Sequence, residues 1–191
     1  MEAFFRNYLN YFLKNIYLLE MTNLSSLAKT ILLNHIRSFQ SDNIKNGRPR
    51  IFYFSYMLDR ILFLLSTGCQ WSKLPLSHGS WKTVYHYFSL WSKHNIFLNA
   101  YEDLVRVYLK IRPRSSIKVV DTTFVKNVFG RNCVGSNPFD RGRKATKVSA
   151  IVDHKGVPLT YTFHKANKND SRTLFHTLSK CKFLSKGFII C

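Results

Sequence analysis

Acids are scarce in this chain: its 191 residues hold 10 Asp and Glu against 29 Lys and Arg, a formal charge of +19. Such an excess repels itself unless the working partner is a polyanion or an acidic surface, which makes nucleic acid the leading candidate. A basic RNA binder, a membrane-surface protein or a secreted basic protein would share the bulk charge, so the number settles only the partner's sign. Long apolar runs are missing too. The longest, "ILFLL" from Ile61 to Leu65, falls far short of the roughly 20 residues of a membrane span, so a soluble protein with no membrane partner is expected. At the N-terminus Glu2, Arg6, Asn7, Asn10 and Lys14 interrupt the apolar residues, which removes the compact apolar centre of a signal peptide. Cys69, Cys133, Cys181 and Cys191 form no CxxC pair and have no His at zinc spacing, so neither a disulfide framework nor a structural metal site is indicated. Repeats and low-complexity segments are absent.

What is present is a 46% hydrophobic content, enough for a real core. Residues 2–20 read as helical, and so do 24–39, where Leu24, Leu27, Ile31, Leu32 and Ile36 recur near helical spacing. A polar linker follows, "SDNIKNGRPR" (Ser41 to Arg50), whose Arg48-Pro49-Arg50 holds an extended backbone that turns both guanidinium groups outward. It is either a solvated loop or a minor-groove arm. Ile51, Phe54, Leu58, Ile61 and Leu65 then step as an amphipathic helix with Gly68 as its C-cap. After the turn-rich "CQWSKLPLSHG", Ser80 caps a second helix striped by Trp81, Val84, Phe88 and Trp91, and a third runs from about Leu98 to Leu109. "RPRSS" (Arg112 to Ser116) breaks the pattern and marks a domain boundary.

Beyond it the period changes to that of strands: "IKVVDTTFV", "KVSAIVD" and the alternating "VPLTYTFHK", with "DHKG" as a hairpin turn. Asp170 reads as the N-cap of a further helix with Leu174, Phe175 and Leu178 inward, and "GFIIC" as a fourth strand. The fold class expected is α+β.

Four features carry candidate chemistry. The helices around residues 51–93 suit either a helix-turn-helix-like DNA reader, with Lys82, Thr83 and His86 offered to a groove, or a plain helical bundle with a solvated basic face. Trp71, Trp81 and Trp91 could stack bases, but Trp81 and Trp91 lie on the apolar stripe, which favours core packing. The loop from Phe129 to Lys147 clusters Arg141, Arg143, Lys144 and Lys147 against a single acid, Asp140, and can wrap a phosphodiester backbone or stand as a solvated hairpin loop. Asp121, in "IKVVDTTF", is an isolated carboxylate at the end of an apolar run. It suits a hard divalent cation held on a rigid strand, or a cap on the turn into "TTF".

"GRPR", "LLSTGCQWSKLPLSHGSWKTVYHYFSLW", "VVDTTFVK", "NPFDRGRKATK", "DHKGVPLTYTF" and "ANKNDSRTL" together resemble, in order and spacing, the insertion-sequence DDE transposases of the IS-four and IS-five superfamily. The resemblance runs from about Leu24 to the C-terminus, and residues 1–22 match nothing in it. It implies three segments: an N-terminal extension at 1–22, a helical DNA-binding domain at 23–112, and the first half of a ribonuclease H-like domain at 113–191. By matched motif Asp121 is the first Asp of a metal-binding set that holds Mg2+. The second Asp of the family follows the strand that reads "GFIIC" here, and so is expected just past Cys191. No glutamate follows Asp121, since the chain's are Glu2, Glu20 and Glu102. Asp153 and Asp170 match turn and helix-cap positions of the family rather than ligands. Ser72, Lys73 and Asn95 stand where the family more often has Arg, Asp and Gly. The resemblance therefore implies double-stranded DNA, both element ends and target, as the partner, without independent strand transfer by this chain. A second copy, or a chain supplying the remaining half of the domain, is the expected protein partner. A DNA-binding remnant or repressor is the alternative. DNA as partner places the protein in the cytoplasm or nucleoid of a bacterium, or in the nucleus of a eukaryotic or virus-infected host.

Overall fold

The computed structural model describes residues 24–41, 52–111, 117–127, 130, 132–183 and 188–190. The expected helix at 2–20, together with Arg48 and Arg50, lies outside them. The chain forms two compact units that divide at residues 111/112.

The helical unit comprises α1 (Leu24–Ser41), α2 (Phe54–Thr67), α3 (Trp81–Lys93) and α4 (Ile96–Ile111). The apolar stripes converge on a dry core: Ile36, Met57, Leu58, Ile61, Val84 and Trp91 are all fully buried. Each such side chain contributes about 1.5–3 kcal/mol through the water it leaves, which is why the 3.6-residue period is so legible here. Gly68 ends α2 in the left-handed region at φ 69°, its N–H reaching the Leu64 carbonyl, a geometry that costs glycine nothing. Ser80 caps α3 by accepting from the Lys82 amide. The start of α2 differs from expectation. Tyr53 is extended and the helix begins at Phe54. An ion pair from Lys29 to Asp59 at 2.6 Å and a hydrogen bond between His35 Nε2 and Asp103 at 2.8 Å fasten α1 to its neighbours.

The second unit is a five-stranded sheet with one helix. Its elements are β1 (Ile117–Lys126), β2 (Gly135–Ser136), β3 (Lys144–Asp153), β4 (Pro158–Lys165), α5 (Asp170–Lys180) and β5 (Phe188–Ile190). β3 is the hub. It pairs antiparallel with β1 on one edge and with β2 and then β4 on the other, while β5 joins β1 in parallel. Asp153 closes the β3–β4 hairpin, its Oδ1 accepting from the amides of Lys155 and Val157. This α+β architecture agrees with the sequence reading, although the short β2 was not anticipated.

Three local expectations change. β3 starts at Lys144 rather than Lys147, so the basic loop is shorter than the sequence suggests. The N-cap of α5 is Asn169, whose side chain accepts from the Ser171 amide; Asp170 lies one residue inside, its carboxylate engaged by Lys147. The buried face of α5 is Thr173 and Thr177, whereas Phe175 is 71% exposed. The reason is that the sheet under α5 is polar. Thr177 Oγ1 donates to the Thr173 carbonyl at 2.7 Å, and its lone pairs can accept from the Ser149 hydroxyl at 2.9 Å and from Thr162 Oγ1. A phenyl ring there would leave buried hydroxyls without partners.

Candidate functional site

Asp121 sits within β1, paired across the ladder with Ala150. There is no turn for it to cap. It stands in mid-strand rather than at a strand end, and its Oδ1 accepts from the next amide, Thr122, at 2.7 Å. Side chains alternate along a strand, so Asp121 points away from the face where Thr122 meets Asp170 of α5 at 3.3 Å. The other described acids are committed. Asp59, Glu102, Asp103, Asp140 and Asp170 each lie within an ion pair, and Asp153 holds its hairpin. Asp121 is exposed and, among the described residues, takes part in no ion pair.

The described residues do not complete a metal site around it. No group of three His, Cys, Asp or Glu is close enough to hold an ion among them. Asp170 is no substitute, because the hydrogen bond from Lys147 holds its carboxyl below the usual carboxylate range and it faces the other side of the sheet. Among the described residues Asp121 is the exposed, unpaired carboxylate that could offer Mg2+ a hard oxygen donor, and Mg2+ held through one or two carboxylates keeps several of its own waters.

The basic residues divide into two groups. On α3, Lys82 and His86 are exposed one turn apart, Lys93 continues their stripe, and Thr83 is half-buried beside them. No acid occurs along this helix. The approach to α3 is held from α2: Arg60 Nη1 donates to the Pro75 carbonyl at 3.1 Å, and Tyr56 Oη accepts from the Ser77 amide at 2.9 Å. The bonds from the Ser77 hydroxyl and amide also bring the Tyr56 phenol below its usual pKa. Partners about twenty residues apart leave no sequence signal, and the sequence reading missed this brace.

In the sheet unit Arg141, Arg143 and Lys144 are exposed around the β2–β3 turn. Lys147 departs from that cluster. Its side chain is only 4% exposed, and its Nζ is bound by Asp170 at 2.8 Å and by the Lys168 carbonyl. It also lies 5.1 Å from the Phe124 ring centroid. A lysine so engaged fastens α5 to β3 and is not offered to a phosphate. The sequence placed it in the loop because β3 was expected to begin three residues later.

Residues 31–100 match the family model described as "putative transposase of IS4/5 family", a span running from within α1 to the first turns of α4. No curated protein matches the chain, and no solved structure does. Within the helical unit, with its buried apolar core and acid-free α3, residues 31–100 are thus similar to that putative transposase family.

Proposed function

We propose that the chain is a DNA-binding transposase-type protein whose helical unit holds duplex DNA at element ends, with Arg141, Arg143 and Lys144 of the sheet unit contacting the backbone. The observation that carries this reading is the family match over residues 31–100 together with the charge arrangement. The described acids of the helical unit, Asp59, Glu102 and Asp103, lie beside Lys29 or Arg106 of the same unit, and α3 itself carries no acid, which leaves its stripe cationic. Lys82 and His86 in the first turns of α3 are then the groove-facing residues, and lysine contacts with phosphate supply affinity through counterion release.

Asp121 is, on this reading, the first carboxylate of a DDE set. The strand order β4–β3–β1–β5, with β5 parallel to β1 and α5 crossing between, supports a ribonuclease H-like half-domain. In that parallel pair Ile190 is level with Val119, two residues before Asp121. With one carboxylate among the described residues, binding without strand transfer is the activity assigned to this chain, and a DNA-binding repressor is the second reading that the same observation favours.

Two measurements test the proposal. Titration of the purified chain against duplex DNA by fluorescence anisotropy should give an affinity that falls steeply with salt, and Lys82→Glu should weaken it; comparable affinity for structured RNA in competition would favour an RNA binder instead. Incubating the chain with linear duplex and Mg2+ should produce no nicking that Asp121→Asn abolishes, and robust Asp121-dependent cleavage would refute the non-catalytic assignment.

A further inference from the structure

The turn between β2 and β3 presents an aromatic ring that its own fold does not use. Phe139 is 84% exposed, although burying a phenyl ring is worth about 1.5–3 kcal/mol. The backbone that carries it is internally tied. Asn137, itself buried, donates its N–H to the Arg143 carbonyl at 2.9 Å, and its own carbonyl accepts from the amides of Asp140 and Gly142 at 3.2 and 3.0 Å. Its Oδ1 accepts from the Phe139 amide at 3.0 Å. Gly142, at φ 74°, turns the chain back into β3. The ring's position is thus set by the loop, and its contact below is Phe124 of β1, at 5.6 Å between centroids.

The surroundings say which ligand suits that ring. Arg141, Arg143 and Lys144 are exposed within a few residues of it, and the one nearby acid, Asp140, is 3.7 Å from Arg143. An apolar protein partner would have to bury these cations without counter-charges, which is costly. A nucleotide satisfies both features, because its base has an apolar π-face and its phosphates are anionic.

We propose that Phe139 is a base-stacking residue: an unpaired DNA base docks on its open face, extending the pair with Phe124, while Arg141, Arg143 and Lys144 hold the adjoining phosphates. This rests on the DNA-binding reading and adds to it a preference for DNA whose bases are exposed, as at a nick, an end or a bulge.

The test compares the full chain's affinity for a paired duplex and for the same duplex carrying one extrahelical 2-aminopurine, at fixed salt. The unaltered chain should bind the bulged duplex about tenfold more tightly, the effect of one base–aromatic stack, and quench its fluorescence. Phe139→Ala should lose both the preference and the quenching yet keep its affinity for the paired duplex. Phe139→Trp should keep all three. Because the ring is exposed, circular dichroism should show both variants folded. Arg143→Ala should weaken both complexes alike and flatten the salt dependence by about one counterion. A preference that survives Phe139→Ala, or an unaltered chain that binds both duplexes equally, overturns the stacking role and leaves DNA binding standing. Binding to neither duplex overturns both.

Discussion

The two units are held together by opposite chemistry. In the helical unit the buried surfaces are apolar, with Leu58, Ile61 and Trp91 withdrawn from water. Under α5 the buried surface is hydroxyls and charge: Ser149, Thr162, His164, Thr173, Thr177 and Lys147. Apolar burial is non-directional and tolerates small shifts. A hydrogen-bonded layer stabilises only when every member finds its partner. The first kind of contact makes a robust platform, and the second makes one whose geometry is narrowly specified and easily undone.

The largest expected effect that would break this contrast is in the dry core. Trp91→Ala should cost about 3–5 kcal/mol, seen as an early denaturant midpoint by tryptophan fluorescence, which reports the helical unit because Trp71, Trp81 and Trp91 all lie there. Thr177→Val comes next. It keeps the shape but strips Ser149 and Thr162 of a shared partner, with an expected loss of about 1–3 kcal/mol by hydrogen exchange at β3, β4 and α5. If it proves neutral, the polar layer is not what fastens α5.

A pH effect near the imidazole range should follow in the sheet unit. Burial first, then the neighbouring His176, Lys168 and Lys147, depress the pKa of His164, so the fold holds it neutral. The unfolded chain, with an imidazole near the ordinary value of about 6.5, then binds the extra proton as the pH drops below that value. Stability contributed by neutral His164 is therefore intact above that value, is lost as pH falls through it, and levels off below the depressed folded pKa. Asp170, whose pKa is lowered chiefly by its hydrogen bond from Lys147, acts in a more acid window. Its contribution is present above the ordinary carboxylate value and disappears as pH falls through the folded one. Hydrogen exchange of β4 and α5 amides at about pH 7.5 and 5.5, either side of the imidazole value, should show faster opening at the lower pH and no such change in α2. The smallest expected effect is Phe175→Ser, within about 0.5 kcal/mol of neutral by denaturant titration, since the ring is exposed.

How far the sequence could be read follows from the same contrast. The cap at Ser80, the left-handed Gly68 and the stripe of Val84, Phe88 and Trp91 were legible because each follows from spacing along one helix. So was β1 around Asp121. Phe175 was misplaced because a helix over a polar sheet turns its threonines inward, and nothing in "DSRTLFHTLSK" says which face its neighbour presents. Lys147 was misassigned for a related reason, since the boundary between a basic turn and a strand is set by pairing with β1 and β4. The exposed Phe139 was written in the sequence as an apolar residue within a polar turn, but only its exposure shows that the fold leaves it unused.

By itself, then, the sequence determined the charge, the helical stripes, the break at 112–116 and the isolation of Asp121 among few acids. Those are properties of residues and their near neighbours, and they survive in any extended chain. Only the tertiary structure decided that Asp121 stands in mid-strand, without the cation partners of Asp59, Glu102, Asp103, Asp140 and Asp170, that Lys147 is spent on Asp170, and that Phe139 faces outward. Each of these depends on which strand lies beside which, and that choice is made by long-range pairing.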